Sequence, residues 1–235
     1  MSFRFKQFEV IQSKSAMKVG TDGVLLGAWA DYNNPTTILD IGSGTGLIAL
    51  MLAQRFLNSK VFAIEVDKDA SEEALLNFSN SIWSERLEII NKDIFKYFSD
   101  SKYDLIVSNP PFFKEDLNSP NRKRALARNG FIDISDLFSK VSSLMHDSSQ
   151  FELIIPFSQM ESYQKEAQKV GLVKSRVMYI NPTSSKSPNR VLLSFSFQNT
   201  KEHPALESYL TIEMNGRHDY SEEYKQLTKE FYLKF

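Results

Sequence analysis

Cysteine is absent from the 235 residues, so the chain forms no disulfide, carries no thiolate nucleophile and offers no thiolate zinc site. Histidine is scarce. The three residues, His146, His203 and His218, are scattered without metal-ligand spacing, and no metal is expected. No run approaches the roughly 18 apolar residues of a membrane span, and Met1 to Phe8 lacks the apolar stretch of a secretory signal. These absences predict a soluble, cytoplasmic protein without a membrane partner. Charge of one sign is not in excess either: 28 Lys and Arg oppose 29 Asp and Glu, a formal net charge of −1. Any nucleic-acid footprint therefore has to be local. Acid is missing locally. From Ala167 to Lys201 there is no Asp or Glu, while Lys169, Lys174, Arg176, Lys186, Arg190 and Lys201 are present. A second basic cluster holds Arg122, Lys123, Arg124 and Arg128. Either cluster alone reads more readily as a solvated face.

What the chain does have is alternation. After the Asn33-Asn34-Pro35 break, short apolar runs of strand length trade places with longer, helix-length segments. Strands are expected over 36–41, 60–66, 87–91, 103–108 and 151–155, with helices over 47–56, 69–81, 133–145 and 159–170. Asp133 is the expected cap of the third helix and Gly171 the stop of the fourth. The strands 173–180 and 191–197 are separated only by the turn-rich Asn181 to Asn189, which predicts a hairpin. A further strand over 209–214 and a helix over 221–232 close the chain. Ahead of the alternation, Asp22 is the expected cap of a short helix reaching Trp29. Such a pattern predicts an α/β sheet, mostly parallel, covered on both faces by helices. The longest irregular stretch, 109–132, is of the length usually reserved for function.

Three strand ends carry chemistry. The first reads Asp40-Ile41-Gly42-Ser43-Gly44-Thr45-Gly46. Glycines at 42, 44 and 46 allow a sharp turn and close ligand approach, and the next helix presents free N–H groups. A pyrophosphate binder would show G-x-G-x-x-G, a spacing this loop lacks. Asp40 reads as an acceptor for a cationic ammonium group or as a cap on the turn. At the second strand end Glu65 reaches ribose hydroxyls, an acid about 20 residues past the glycines, while Asp67 caps the next helix. At the third, Asp93 accepts from an adenine amino group with Ile94 against the ring. Taken alone, Asp93 is a helix cap.

These strand ends in this order resemble the class I S-adenosylmethionine-dependent methyltransferases. The resemblance implies a Rossmann-like, seven-stranded, mostly parallel sheet with an antiparallel C-terminal hairpin, and S-adenosyl-L-methionine across the strand ends. It also implies one domain over 1–235: a cofactor-covering extension at 1–35, the core at 36–200, and a strand and helix at 201–235. The fourth strand then runs into Asn109-Pro110-Pro111-Phe112. Two prolines fix the backbone and remove two N–H donors. The Asn109 amide oxygen and the Pro110 carbonyl are left as paired acceptors for a planar exocyclic amine, and Phe112 can stack on its ring, worth roughly 1–3 kcal/mol. Asn109 also borders the cofactor.

The run Met17 to Gly23, Arg124 with Arg128, and Pro188-Asn189-Arg190-Val191 are similar to the bacterial tRNA1(Val) (adenine(37)-N6)-methyltransferase family. That resemblance implies methyl transfer to N6 of an adenine in tRNA, a 2.1.1-class reaction, with Lys18, Gly20 and Thr21 folded over the cofactor. Arg122, Lys123, Arg124, Arg128, Lys186 and Arg190 then become candidates for RNA phosphate. The oligomeric state is unspecified, with a monomer favoured. Three other readings share the motifs: a guanine-N2 rRNA methyltransferase, a release-factor glutamine methyltransferase, and a non-catalytic RNA-binding module on the same fold.

Overall fold

The computed structural model describes residues 1–15, 17–111, 133–197 and 205–235. Two three-residue strands, β1 (Ser2–Arg4) and β2 (Glu9–Ile11), open the chain as an antiparallel hairpin. Sequence pattern does not reveal this hairpin. Its residues are held by tertiary packing: Phe5 and Phe8 stack at 4.7 Å, with Trp83 edge-on to Phe8 and Tyr232 stacked on Phe5. Lys6 donates its backbone N–H to Phe231 O at 2.8 Å and its ammonium to Phe235 O at 2.7 Å.

Helix α1 (Thr21–Trp29) follows. Its cap is Gly20 rather than Asp22, which lies inside the first turn. Asp22 is engaged elsewhere: its Oδ2 accepts from Arg190 Nε at 2.9 Å. The alternating core comes next, with β3 (Thr37–Ile41), α2 (Leu47–Arg55), β4 (Lys60–Glu65), α3 (Lys68–Ser79), β5 (Leu87–Asn91) and β6 (Tyr103–Ser108). Helix α4 (Ile134–Leu144) starts from Asp133, whose side chain accepts from Ser135 and Asp136 N–H. Then come β7 (Met145–Pro156), α5 (Met160–Lys169), β8 (Leu172–Thr183), β9 (Arg190–Phe197), β10 (Leu206–Glu213) and α6 (Glu222–Thr228). Strand β7 starts six residues earlier than its apolar pattern suggests, and its ladder with β6 begins at Tyr103 and Met145 before a register shift.

The sheet order is β10-β8-β9-β7-β6-β3-β4-β5. All eight strands match expected ones, but the sheet has eight strands and not seven, because the tail strand β10 joins it parallel to β8. Only β9 runs against its neighbours β7 and β8. Side chains alternate between two cores. Ile38, Leu105 and Ile154 face α1 and α2, whereas Leu39, Ile106 and Ile155 face α4 and α5. Both faces are buried, so the central strands are mostly apolar.

Two carboxyl groups are buried in this sheet, Asp40 of β3 and Glu152 of β7. Glu152 of β7 is fully inaccessible and accepts from Arg176 at 2.9 Å and from Asp31 N–H at 3.0 Å. Burial pushes its carboxyl up to about 7. The Arg176 guanidinium lies 3.8 Å from the Trp29 ring centroid. This cluster sits where β7, β8 and the end of α1 meet, and it pins the helix to the sheet.

Candidate functional site

The glycine loop between β3 and α2 is held as a left-handed turn by backbone contacts to the next strand. Gly42 and Ser43 N–H both donate to Ile64 O, at 2.9 and 3.1 Å. Gly44 N–H donates to Glu65 Oε2 at 2.8 Å, and Glu65 Oε1 accepts from Asp67 N–H at 2.8 Å. Glu65 therefore staples the loop to the end of β4, with one lone pair on each oxygen still available. Gly46, at φ 82°, caps α2, and a Cβ built there would lie 2.4 Å from Phe78 Cε1. Gly44 also has a positive φ of 55°, but a Cβ there would meet nothing within 4 Å. Gly46→Ala is thus expected to destabilise the fold by on the order of 3 kcal/mol, overpacking added to left-handed strain. Gly44→Ala is expected to cost about 1–2 kcal/mol through strain alone. Urea unfolding midpoints of the two variants measure the difference.

Beneath the loop Asp40 is fully buried. Its Oδ2 accepts from Ala49 N–H at 3.2 Å, and its Oδ1 has no partner among the described residues. Desolvation pushes the carboxyl up to about 7, with Glu65 adding repulsion and the Ala49 N–H opposing the shift. Ser43 Oγ and Asn109 Oδ1 are likewise buried without partners. A native interior rarely leaves such atoms unsatisfied. Three of them around one loop suit a ligand that brings ammonium, hydroxyl and amine hydrogens.

A cavity of about 410 Å³ opens over these atoms. The glycine loop forms one wall and Asn109 with Pro110 the floor at the end of β6; the third wall is Met17 to Gly23. It brings together Lys18, Gly20, Thr21, Gly42, Gly44, Asn109 and Pro110 of the expected set. Gly46, Asp40 and Glu65 support it from below and beside.

Asp93 and Ile94 do not line the cavity. Asp93 caps a single 3-10 turn, accepting from Phe95 N–H at 2.9 Å, and Ile94 is buried in the core on the α4 side. Pro111 follows Pro110 outside the cavity lining. Lys186 is exposed in the turn between β8 and β9, and Arg190 holds Asp22. Phe112, Arg122, Lys123, Arg124 and Arg128 lie outside the described residues.

The third wall depends on residues that no motif announces. Glu73 of α3 accepts three successive N–H groups of the entering chain. Oε1 takes Ser13 at 2.5 Å and Lys14 at 2.6 Å, and Oε2 takes Ser15 at 2.8 Å. Burial raises the carboxyl, but the three N–H bonds and the Lys18 ammonium outweigh it and hold Glu73 below the ordinary carboxylate range. One turn along α3, Asn77 bridges Ile11 and the glycine loop, accepting from Ile11 N–H at 2.8 Å and donating to Thr45 O at 2.9 Å. Lys18 spends its ammonium on Gln12 O and Ser15 O at 2.6 and 2.7 Å, and Gln12 Oε1 accepts from Val19 N–H at 2.6 Å. The segment is a strap knotted by its own side chains and clasped from α3. In sequence, Glu73 and Asn77 look like the polar face of an ordinary helix, because their partners lie about 60 residues upstream.

A family model described as a methyltransferase small domain matches residues 3–130. The chain is 46% identical over 232 residues to the tRNA1(Val) (adenine(37)-N6)-methyltransferase of Phocaeicola vulgatus, covering 98% of this chain and 97% of that protein. It is 42% identical to the protein of the same name from Trichodesmium erythraeum, over 99% and 98% of the two chains. Among solved structures, a predicted O-methyltransferase from Agrobacterium tumefaciens matches with a TM-score of 0.66 at 19% identity. That match covers 89% of this chain and 96% of the other.

Proposed function

Since the chain belongs to the tRNA1(Val) (adenine(37)-N6)-methyltransferase family, we propose that it methylates N6 of an adenine in tRNA, next to the anticodon, with the 410 Å³ cavity holding S-adenosyl-L-methionine. The observation that carries the site assignment is the set of unpartnered buried oxygens on Asp40, Ser43 and Asn109 around one loop. Asp40 is the acceptor for the cofactor ammonium, and the α2 N-terminus with Ser43 serves polar groups nearby. Glu65 keeps lone pairs for ribose hydroxyls. The cofactor supplies a sulfonium methyl and leaves as a thioether.

Everything else is positioning. Asn109 Oδ1 and the Pro110 carbonyl accept the two N–H groups of the adenine amine. That orients the nitrogen lone pair toward the methyl and draws it out of ring conjugation. The amine donates its proton to water after transfer, so no strong base is needed. Phe112 is assigned to stack on the base, and Arg122, Lys123, Arg124, Arg128 and Lys186 to the phosphates. Arg190 joins them only if it gives up Asp22, so its first role is to steady α1. Residues 1–35 act as the cofactor cover of a single domain. Among the described residues no helix is long and apolar enough to cross a membrane.

Cofactor affinity is predicted to depend on pH through Asp40. In the free protein this carboxyl titrates near 7, well above its unfolded value of about 3.9. Its burial therefore costs stability progressively as pH rises from about 4 to 7, and not further above that. A cationic ligand beside it favours the ionised form. Binding is then coupled to release of one proton, and the dissociation constant for the cofactor should rise about tenfold per unit as pH falls below 7. Calorimetry between pH 5.5 and 8.5 measures this. Asp40→Asn should abolish the slope, and a wild-type affinity flat across that range would remove Asp40 from the site.

Nucleoside mass spectrometry tests the function as a whole. Unmodified tRNA incubated with the protein and cofactor should gain N6-methyladenosine. The appearance of N2-methylguanosine instead, or transfer to a release factor but not to tRNA, would overturn the proposal.

A further inference from the structure

The cavity leaves a second feature at the same end of the sheet without a role. Register carries one level across four strands. Ile155 of β7 pairs Val191, Val191 pairs Tyr179, and Tyr179 pairs Tyr209. Strand β6 ends beside this row, with Ser108 paired to Leu153 and Asn109 following it. At a strand spacing of about 4.8 Å, Tyr179 lies about 10 Å and Tyr209 about 14 Å from Ile155 along the row. Ile155 and Val191 are covered by the α4 side of the core. Beyond them the cover ends. Tyr209 is 67% exposed and Phe157 41% exposed. The Tyr179 and Tyr209 rings stack at 4.9 Å and 26°, and Phe157 stands edge-on to Tyr179 at 5.9 Å.

Two residues nearer the rim on the same face, Asn181 has an inaccessible Oδ1 with no partner among the described residues. Cations border this shelf. Lys186 is in the turn that ends β8, and Arg217 in the turn that ends β10. The two turns are joined by Ser184 Oγ donating to Met214 O at 3.1 Å. Two acids share this face of β10: Glu207 is matched by Lys174 at 3.4 Å and bonded to the Tyr179 hydroxyl, and Glu213 accepts from His218 N–H at 2.8 Å.

We propose that Phe157, Tyr179, Tyr209 and Asn181 form a stacking subsite for unpaired nucleotides of the tRNA that flank the target adenine. The proposal rests on the reading of the protein as a tRNA methyltransferase. Stacked, half-exposed rings suit any base, because every base has a π face. The free amide oxygen suits an exocyclic amine or a 2′-hydroxyl, and Lys186 and Arg217 suit the phosphates on either side. The separation also fits. The target base has to reach Asn109, and the shelf lies at the same end of the sheet, two to three strands beyond β7. An anticodon loop, already partly unpaired, can present both at once.

Binding of a fluorescently labelled, unmodified tRNA transcript, measured beside cofactor binding by calorimetry, tests the subsite. Tyr209→Ala and Phe157→Ala should each weaken tRNA binding roughly 5- to 50-fold and raise the tRNA KM in step, the loss of one stacked base. Cofactor affinity should stay at the wild-type value. Tyr209→Phe should restore tRNA binding, which a purely structural role for the hydroxyl would not allow. If wild type methylates tRNA while both alanine variants bind it as tightly as wild type, the shelf serves another partner and the proposal falls. If wild type itself neither binds nor methylates tRNA, the parent reading falls and the subsite with it.

Discussion

Asn109→Ala should lose about two to three orders of magnitude in turnover while binding the cofactor almost as well as wild type. The expectation follows from where the side chain stands. Its Oδ1 is buried at the cavity floor and has no partner among the described residues. It therefore contributes little to the fold but a great deal to a substrate amine that needs two acceptors. Pro110 and Pro111 cannot rotate to substitute, because their rings fix φ. Removing one preorganised polar contact of this kind typically costs 10²–10³ in kcat. Asn109→Asp keeps an acceptor at the same reach and should retain more activity than alanine. Single-turnover transfer of labelled methyl to tRNA measures the rate, and calorimetry the cofactor. Alanine turnover equal to wild type would refute the two-acceptor mechanism.

The second large effect is expected far from the reacting atoms. Glu73→Ala should raise the cofactor KM at least about tenfold and leave kcat at saturating cofactor much less affected. The substitution strands three successive N–H groups, on Ser13, Lys14 and Ser15. Each orphaned donor costs about 1–3 kcal/mol unless water reaches it. The strap escapes that cost by lifting away, and the wall from Met17 to Gly23 goes with it. Glu73→Gln tests the same point more gently, since one of its two terminal atoms donates where the site has only donors. Hydrogen exchange at residues 13–15 provides the independent readout. Those amides should be protected in wild type and exposed in both variants. Protection unchanged in Glu73→Ala would show that the clasp does not hold the strap.

These two residues also mark how far the sequence could be read. The place of Asn109 was legible because its pattern is local: a strand, then an amide, then two prolines. The glycine turn was legible for the same reason, since positive φ at Gly42, Gly44 and Gly46 demands glycine in place. Glu73 was not legible. A carboxylate on a helix face carries no sign of partners from another part of the chain. Lys18 stood in the right segment, yet its ammonium is tied back into the strap, at Gln12 and Ser15. Asp93 illustrates the opposite case, a residue that fits a pattern while the structure gives it a turn to cap. The β1–β2 hairpin escaped because three-residue strands have no periodicity of their own. The parallel docking of β10 on β8 escaped because strand order is settled by packing, not by local pattern.

The clasp of Lys6 on residues 229–235 has a bearing on the order of folding. The bonds join groups 223 and 229 residues apart in sequence. Contacts of such separation form late, because the chain between them has to be ordered first. Strands β3 to β6 and the glycine turn are of local connectivity and can assemble before them. The β1–β2 hairpin is therefore expected to lock down after the core, and the amides of Phe5 and Lys6 to gain protection later in refolding than those of β3.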